Sequence, residues 1–470
     1  MKIKLYFLFF SIFLSISCNK IQEKSFYYEN INTELIEIKN NSNKTAKFKI
    51  LINNNDFSSE TAIISFIKNM ENEYENEPLE MKAFRFVRDF SFHENPISEI
   101  NWTFSPLVLI NSLGGALCGS RSAVLTNILH KLGFDARSWC IEGHVVTEVF
   151  SNNKWKVLDV DNGMYYFNNN MEIASYQELC SEEDLIINPI CELIDKNDFY
   201  YSWIYSKRMA DLYSSLDDNC IFNNTYSEDL ENMEIIFELP ANSKIKFPIS
   251  EKYSTNLYSY LELTIPKSHN TKINFPLVLA GIKGKGKIKY QNQVLDIENF
   301  NIEDLLKNQE NISFDYEILE NENTLKLYYF INPFLFKSND VNELKLIGEN
   351  LNNIQFKQYI RNDFSFYYTR KQSPMYNLLD SLIYKNPEFI NQDTSNFNAD
   401  YIEYIINTLE NNKTIEQNFD INKFKTEFIS ICELPKKYSK TDYLSYLKRE
   451  NTILLLLQLL EFNKLSKENY

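Results

Sequence analysis

The hydrophobic pattern of this chain switches between helical and strand periods, and those switches bound the fold. Between residues 59 and 132 apolar residues recur at helical spacing: Ala62, Ile63, Ile64, Phe66 and Ile67, then Leu79, Met81, Ala83, Phe84, Phe86 and Val87, then Val124, Leu125, Ile128, Leu129 and Leu132. From Met233 to about Phe336 the runs are short and alternate, as in Ile235–Glu238, Lys244–Ile249, Tyr258–Ile265 and Lys326–Ile331, with Asn, Ser, Pro and Gly between them. A helix face has a period of about 3.6 residues and a strand face a period of about 2, so the two stretches belong to different element types. The expected class is α+β, with a β-sandwich-like region after the helical one.

Length and composition narrow this further. At ~100–200 residues per domain, 470 residues suggest two to four domains. Hydrophobic residues at 44 % and charged residues at 24 % are globular values, so wholesale disorder is excluded. Lys+Arg 48 against Asp+Glu 64 gives a net charge of −16. An acidic chain with no basic stripe lacks the cations that phosphate binding requires, so no nucleic-acid partner is expected. The abundance of Asn and Lys reads as base-composition bias.

The N-terminus reads as an address. Lys2 and Lys4 precede an apolar run from Leu5 to Ile16, followed by Ser17 and Cys18. The run is too short to span ~30 Å of hydrocarbon and has the layout of a signal peptide. The Cys after a small residue resembles the lipobox of bacterial lipoproteins, although Ser15 stands where those sequences usually carry Leu. The resemblance implies cleavage before Cys18, lipidation of its thiol and a membrane-anchored place on the periplasmic or outer-membrane face of a bacterial envelope. The expected divisions are a signal peptide over 1–17, a lipid-anchored tether and N-terminal segment over 18–58, a mixed unit over 59–222, a β-rich domain over 223–365 and a helical region over 366–470. Ser373-Pro374 supplies an N-cap and a proline at the first helical position for the last of these. The late apolar run Ile453–Leu457 reads as the buried face of a C-terminal helix.

Seven Cys occur, at 18, 118, 140, 180, 191, 220 and 432, and none forms a Cys-x-x-Cys pair. A zinc ribbon or a thioredoxin-like site therefore has no support, and neither a metal nor a cofactor is expected. If Cys18 is lipidated, six thiols remain that an oxidising compartment could pair, and their partners cannot be read from spacing.

One stretch carries chemistry. Gly114-Gly115-Ala116-Leu117-Cys118-Gly119-Ser120-Arg121 precedes the helical pattern that ends at Gly133, so Cys118 falls at the helix start. The dipole and the free N–H groups there favour a thiolate and could hold a developing oxyanion. The two glycines would let a substrate backbone approach. Arg137–Phe150 and Lys154–Val160 then read as strands joined at Ser151-Asn152-Asn153. A loop at 151–152 would set His144 opposite Asp159, and a loop at 151–154 would set it opposite Asp161. Either carboxylate would orient the imidazole and stabilise its charged form. Cys140 reads as lying ~13 Å along the same strand from His144, too far for a nucleophile–base pair. His93 and His269 have no partner at a telling spacing, His130 reads as a surface residue near a helix end, and Glu142 and Glu148 as strand-surface charges. Gly281–Lys287 mimics a phosphate-loop spacing but reads as a basic hairpin, since Ile288 stands where Ser or Thr would bind magnesium.

Taken together, Gly115-Ala-Leu-Cys118-Gly119, Leu129 to Gly133, Ala136-Arg137, Gly143-His144, Glu148-Val149 and Trp155-Lys-Val-Leu-Asp159 resemble the transglutaminase-like superfamily, with gaps of 26 from Cys118 to His144 and 15 from His144 to Asp159. The resemblance covers roughly residues 60–170. It implies a papain-like core, in which a Cys-bearing helix packs on an antiparallel sheet, with Cys118 as nucleophile, His144 as base and Asp159 as orienter. Trp155, four residues before Asp159, matches the family and favours Asp159 over Asp161. Two departures are Val146, where an aromatic is often found, and Asp159-Val160-Asp161 in place of Asp-Pro-Thr. Trp102 and Asn111 are the upstream candidates for an oxyanion side chain.

The expected function is an exported thiol-dependent amide hydrolase or acyltransferase, of the cysteine peptidase, amidase or protein-glutamine acyltransferase type, acting on a protein, peptide or glycopeptide through a thioester. Hydrolysis is favoured, since water is the default acceptor. The competing expectation is a catalytically silent module of the same fold that binds a partner at the envelope.

Overall fold

The computed structural model describes residues 21–360, apart from short internal stretches of which the longest is 249–258. The expected signal peptide, Cys18, Cys432 and the helical region over 366–470 lie outside the described residues. Within them the protein is a mixture of helices and antiparallel sheets, the one parallel pairing being a two-residue contact described below.

Strands β1 (Gln22–Glu29), β2 (Thr33–Asn40), β3 (Ala46–Ile52) and β4 (Asn55–Asp56) open the chain. They do not form a tether. β1 and β3 flank Val341–Glu349, and β3 also pairs with Phe237–Leu239. β2 lies between Lys244–Pro248 and Ile354–Ile360 in a second sheet. The two sheets share one apolar core, crossed by ring contacts from Phe237 to Phe275 at 5.0 Å and from Phe275 to Tyr329 at 4.6 Å. The β-rich region is therefore built from both ends of the described chain. The tether reading missed this because Asn-rich turns interrupt the alternation. Asn53 and Asn54 both take positive φ (52° and 61°) to close the β3–β4 turn. Asn40 is wholly buried and donates to the carbonyls of Lys44, Leu239 and Pro240.

The Gly281–Lys287 stretch also differs from its sequence reading. Leu279–Lys283 pairs with Leu325–Ile331, whereas Gly286–Tyr290 pairs with strands of a separate four-stranded sheet. The segment is a crossing between sheets and not a hairpin.

Between β4 and Phe237 the chain forms a helix-and-sheet unit whose helices over Glu60–Asn69, Leu79–Phe90 and Cys118–Lys131 pack into the same apolar core. Helix α1 (Glu60–Asn69) is capped by Ser59 and buries Ile63, Ile64 and Ile67. Helix α2 (Leu79–Phe90) buries Met81, Ala83, Phe84, Phe86 and Val87. Strand β5 (Phe92–His93), helix α3 (Pro106–Val108), strand β6 (Gly115–Ala116) and helix α4 (Cys118–Lys131) follow. Then come β7 (Asp135–Ile141), β8 (His144–Ser151) and β9 (Lys154–Leu158). Short helices α5 (Tyr176–Ser181), α6 (Asp184–Ile187), α7 (Tyr201–Ile204) and α8 (Lys207–Ser214) lead to β10 (Cys220–Phe222). The sheet order is β10-β7-β8-β9, and α4 buries Val124, Leu125, Ile128 and Leu129. Asn332 ties this unit to the β-rich one, donating to the Phe90 and Ile110 carbonyls at 2.8 Å.

The expected single strand over Arg137–Phe150 is two strands. Glu142-Gly143 forms a turn, with Gly143 at φ 68°, so Ile141 pairs with His144 and Cys140 with Val145. Cys140 is therefore across the ladder from the residue next to His144. Glu148 is also not a surface charge. It is 1 % exposed and accepts from Arg137 Nε and Nη2 (2.9 and 2.7 Å), Trp139 Nε1 (2.9 Å) and the Tyr176 N–H (2.8 Å). His130 is exposed, as expected, with Nε2 2.8 Å from the Ala136 carbonyl. No helix among the described residues is long and apolar enough to cross a membrane.

If residues 22–56 are integral strands, removing them should abolish folding, whereas a tether would be dispensable. A chain beginning at residue 58 should show no cooperative thermal unfolding transition by circular dichroism, and a normal sharp transition would contradict the sheet assignment.

Candidate active site

Cys118 is the first residue of α4, as the sequence implied. Leu117 provides no side-chain cap, and the first turn contains no acidic residue. The first intrahelical bond runs from the Arg121 N–H to the Leu117 carbonyl. The N–H groups of Cys118 and Gly119 thus have no partner inside the helix and point out of its positive end.

The glycines before Cys118 serve packing and not substrate approach. A Cβ on Gly115 would lie 2.8 Å from the Phe92 ring, and Gly114 at φ +67° would place one 2.7 Å from Asn332 Oδ1. This closeness lets β6 pair in parallel with β5, Phe92 with Gly115 and His93 with Ala116.

Helix and sheet are pinned next to the site. Ser122, one turn after Cys118, donates to the Val145 carbonyl at 2.8 Å, and Thr147 donates back to the Ser122 carbonyl at 3.0 Å. Thr126 and Ser138 hydroxyls meet at 2.8 Å further along the same face. Small hydroxyl side chains let α4 approach β8 closely while satisfying their own polar atoms. Because Val145 adjoins His144, the same contacts deliver Cys118 to the imidazole. Cys118 Sγ, a ring nitrogen of His144 and a carboxylate oxygen of Asp161 lie within 4.8 Å of one another.

The carboxylates divide two tasks. The β8–β9 turn is Asn152-Asn153, at φ 53° and 60°, so Ser151 pairs with Lys154 and Thr147 with Leu158. Continued without interruption, that register would set His144 opposite Asp161. The ladder instead ends at Leu158, and Asp159 and Met164 exchange backbone hydrogen bonds at 2.8 Å around a tight loop. His144 Nε2 consequently meets Asp159 Oδ2 at 2.9 Å. Asn162 fixes that carboxylate, with its N–H on Oδ1 at 3.0 Å and its Nδ2 on Oδ2 at 2.8 Å, and Trp203 Nε1 donates to Asn162 Oδ1 at 3.3 Å. With Nε2 engaged, Nδ1 is the nitrogen left to serve the thiol.

Asp161 turns toward His93 and Arg121. His93 Nδ1 lies 2.9 and 2.8 Å from its two oxygens, and Arg121 Nη1 donates to Oδ1 at 3.1 Å and to its carbonyl at 2.9 Å. Arg121 also donates through Nε to Ser91 Oγ at 3.0 Å. His93 is thus a site residue that sequence reasoning passed over. Its partner lies 68 positions away, and the β5–β6 pairing that brings it close spans two residues and leaves no periodicity. Cys118, His144 and Asp161 are also the group among the described residues whose donor atoms come close enough for a metal ion, but both Asp161 oxygens are already committed to His93 and Arg121.

The charges follow from these contacts. Burial works against the His144 imidazolium, but the Asp159 charge and hydrogen bond, helped by Cys118, hold its pKa well above the ordinary value. Burial likewise opposes charge on Asp161, yet His93, Arg121 and His144 keep its carboxyl well below the usual range. Of the two upstream oxyanion candidates, Asn111 has its amide committed elsewhere, while Trp102 sits beside Thr103, whose hydroxyl meets that of Ser120 at 3.1 Å. Both Asn111 amide donations go to the Phe57 and Leu107 carbonyls, and Trp102 is buried in the main core. Trp155 stacks beneath the Arg137 guanidinium at 4.0 Å. A cleft of about 410 Å³, counting space open to solvent, lies beside His144 and is lined by Glu142, Asp161, Asn162, Trp203 and Arg208.

Two measurements test this geometry. Ser122→Ala should cost about 1 kcal/mol in urea unfolding, one net hydrogen bond, whereas Ser122→Val should cost about 2–3 kcal/mol by also forcing bulk between α4 and β8. Equal costs would argue against a close-packed contact. A raised His144 pKa contributes stability in full below about pH 6.5 and loses it as pH rises through the folded-state value. The melting temperature of the wild type should therefore exceed that of Asp159→Asn most clearly near pH 6, with the gap narrowing toward alkaline pH. A gap that widens with pH would contradict the pairing. Comparison of this chain with family models, curated proteins and solved structures finds no match.

Proposed function

We propose that this protein is a thiol-dependent amide hydrolase or acyltransferase with a papain-like core of the transglutaminase-like kind. The observation that supports it most is the placement of one imidazole against both a helix-start thiol and a buried carboxylate. A nucleophile, a base and an orienter in that arrangement are the parts of a thiol acyl-transfer site.

In this reading His144 holds the thiol proton and leaves Cys118 as the attacking sulfur. The sulfur adds to an amide carbonyl, and the oxyanion is received by N–H groups at the start of α4. The imidazolium then gives its proton to the departing amine, and a thioester remains on Cys118. Asp159 keeps the ring oriented and supports its positive charge, while Asn162 and Trp203 keep Asp159 in place. Asp161 has its charge offset by Arg121 and His93, so the second carboxylate beside the sulfur does not stand as a bare anion. Water is the acceptor in this reading, being the default where a site does not exclude it. The substrates proposed are proteins, peptides or glycopeptides at the cell envelope, reached by a chain lipid-anchored through Cys18.

Iodoacetamide labelling of Cys118 against pH tests the reading. Labelling should persist below neutral pH and fall by about 10²–10⁴-fold at pH 6 in His144→Ala, the range a positioned general base commands. Cys118→Ser should abolish turnover of amide substrates. Labelling that rises only above pH 8 in both proteins would leave a binding module of the same fold as the surviving reading.

A further inference from the structure

Two cysteines outside the catalytic arrangement face each other. Cys140 in β7 and Cys220 in β10 are direct partners in the antiparallel ladder. Paired residues leave the same face of the sheet with Cβ atoms ~4.5–5.5 Å apart. Their Cα separation, ~4.5 or ~5.5 Å depending on the type of pair, lies within the ~4.4–6.8 Å that a disulfide spans, and closing the bond draws the Cβ atoms in to ~3.5–4.5 Å. Both are free thiols in the structure. Of the remaining described cysteines, Cys180 donates to the Tyr213 carbonyl at 2.8 Å.

We infer that Cys140 and Cys220 form an oxidation site that closes as a disulfide and staples the edge strand β10 to β7, beside the helix that carries Cys118. The inference does not depend on Cys118 being catalytic. The oxidant is a disulfide of general form RSSR, small or protein-borne. Cys220 is exposed, whereas burial, and then the neighbouring Cys220 and Cys118, push the Cys140 thiol up to about 12. Cys220 is accordingly the attacking thiolate. Its sulfur bonds to one sulfur of RSSR, that S–S bond breaks and RS⁻ leaves. Cys140 then gives up its proton to the released thiolate, and its sulfur displaces the second RS⁻ from Cys220. Two protein thiols lose two electrons and two protons in all, and RSSR becomes two RSH.

The staple has a local consequence. β10 is three residues long and lies at the sheet edge, and the Phe222 ring covers the start of α4. A Cβ on Gly119 would sit 3.3 Å from Phe222, and the ring also meets Phe104 at 5.4 Å. A covalent link at Cys220 holds this cover two residues away. It also removes two thiols from the strands packed against the helix that carries Cys118.

The full chain equilibrated with excess oxidised glutathione, quenched with an alkylating agent and digested without reductant tests this. The expected result is one cross-linked peptide pair joining Cys140 to Cys220, with Cys118 linked to neither. Oxidation should raise the melting temperature by about 5 °C, and the rise should be absent in Cys220→Ser. Recovery of both cysteines alkylated, glutathione retained on Cys220, or a link from either to Cys118 would overturn the inference. Because the peptide map is made on the wild type, it decides the matter even if the variant fails to fold.

Discussion

The reciprocal hydrogen bonds between Ser122 and the Val145–Thr147 segment are the contact on which the rest of the site depends. An α-helix and a sheet usually pack through apolar side chains, which set their separation. Here hydroxyl groups meet carbonyls directly, so the helix start is held at hydrogen-bonding distance from the strand that begins with His144. Cys118 lies one turn before Ser122, and His144 is the neighbour of Val145. The apolar face of α4 and the Thr126–Ser138 contact hold helix to sheet as well, but this clamp is the one nearest the thiol and the imidazole.

A second constraint is electrostatic. The side chains of Asp159, Asp161, His144, His93 and Arg121 are brought together almost out of contact with water, where an isolated charge is costly. The loop over 159–164 resolves the conflict by sending its two carboxylates opposite ways. Asp159 goes to His144, and Asp161 goes to His93 and Arg121. Each negative group acquires a cationic or proton-bearing partner, and Asn162 fills the remaining valences of Asp159. The sequence left the two aspartates as alternatives for one role. The structure gives them different partners, because the strand ladder stops one residue before Asp159.

Several misread features share one cause: the burden carried by asparagine in a chain with only 10 Gly. Among the described residues, Asn53, Asn54, Asn76, Asn152, Asn153, Asn242 and Asn350 take positive φ. Asn tolerates this conformation better than other non-glycine residues. A composition that looked like coding bias therefore supplies turn residues, and the segment that looked like a polar tether is four paired strands with Asn turns. Glu148 was misread for another reason. A carboxylate in a strand looks solvent-facing until Arg137, Trp139 and the α5 N-terminus are folded around it.

By itself the sequence determined what depends on neighbours along the chain. It set the α+β class through the change of period, the α4 boundaries through Gly and apolar spacing, and the positions of Cys118, His144 and Asp159 as candidates through their order. Tertiary structure decided what depends on distant pairing. It joined residues 22–56 to 341–360, brought His93 to Asp161 across 68 positions, set Cys140 against Cys220, and turned the glycines before Cys118 toward Phe92 and Asn332. The physical reason is that periodicity reports which face of an element is buried, whereas the partner across that face is chosen by register and by where each ladder ends, and these are properties of the assembled sheets.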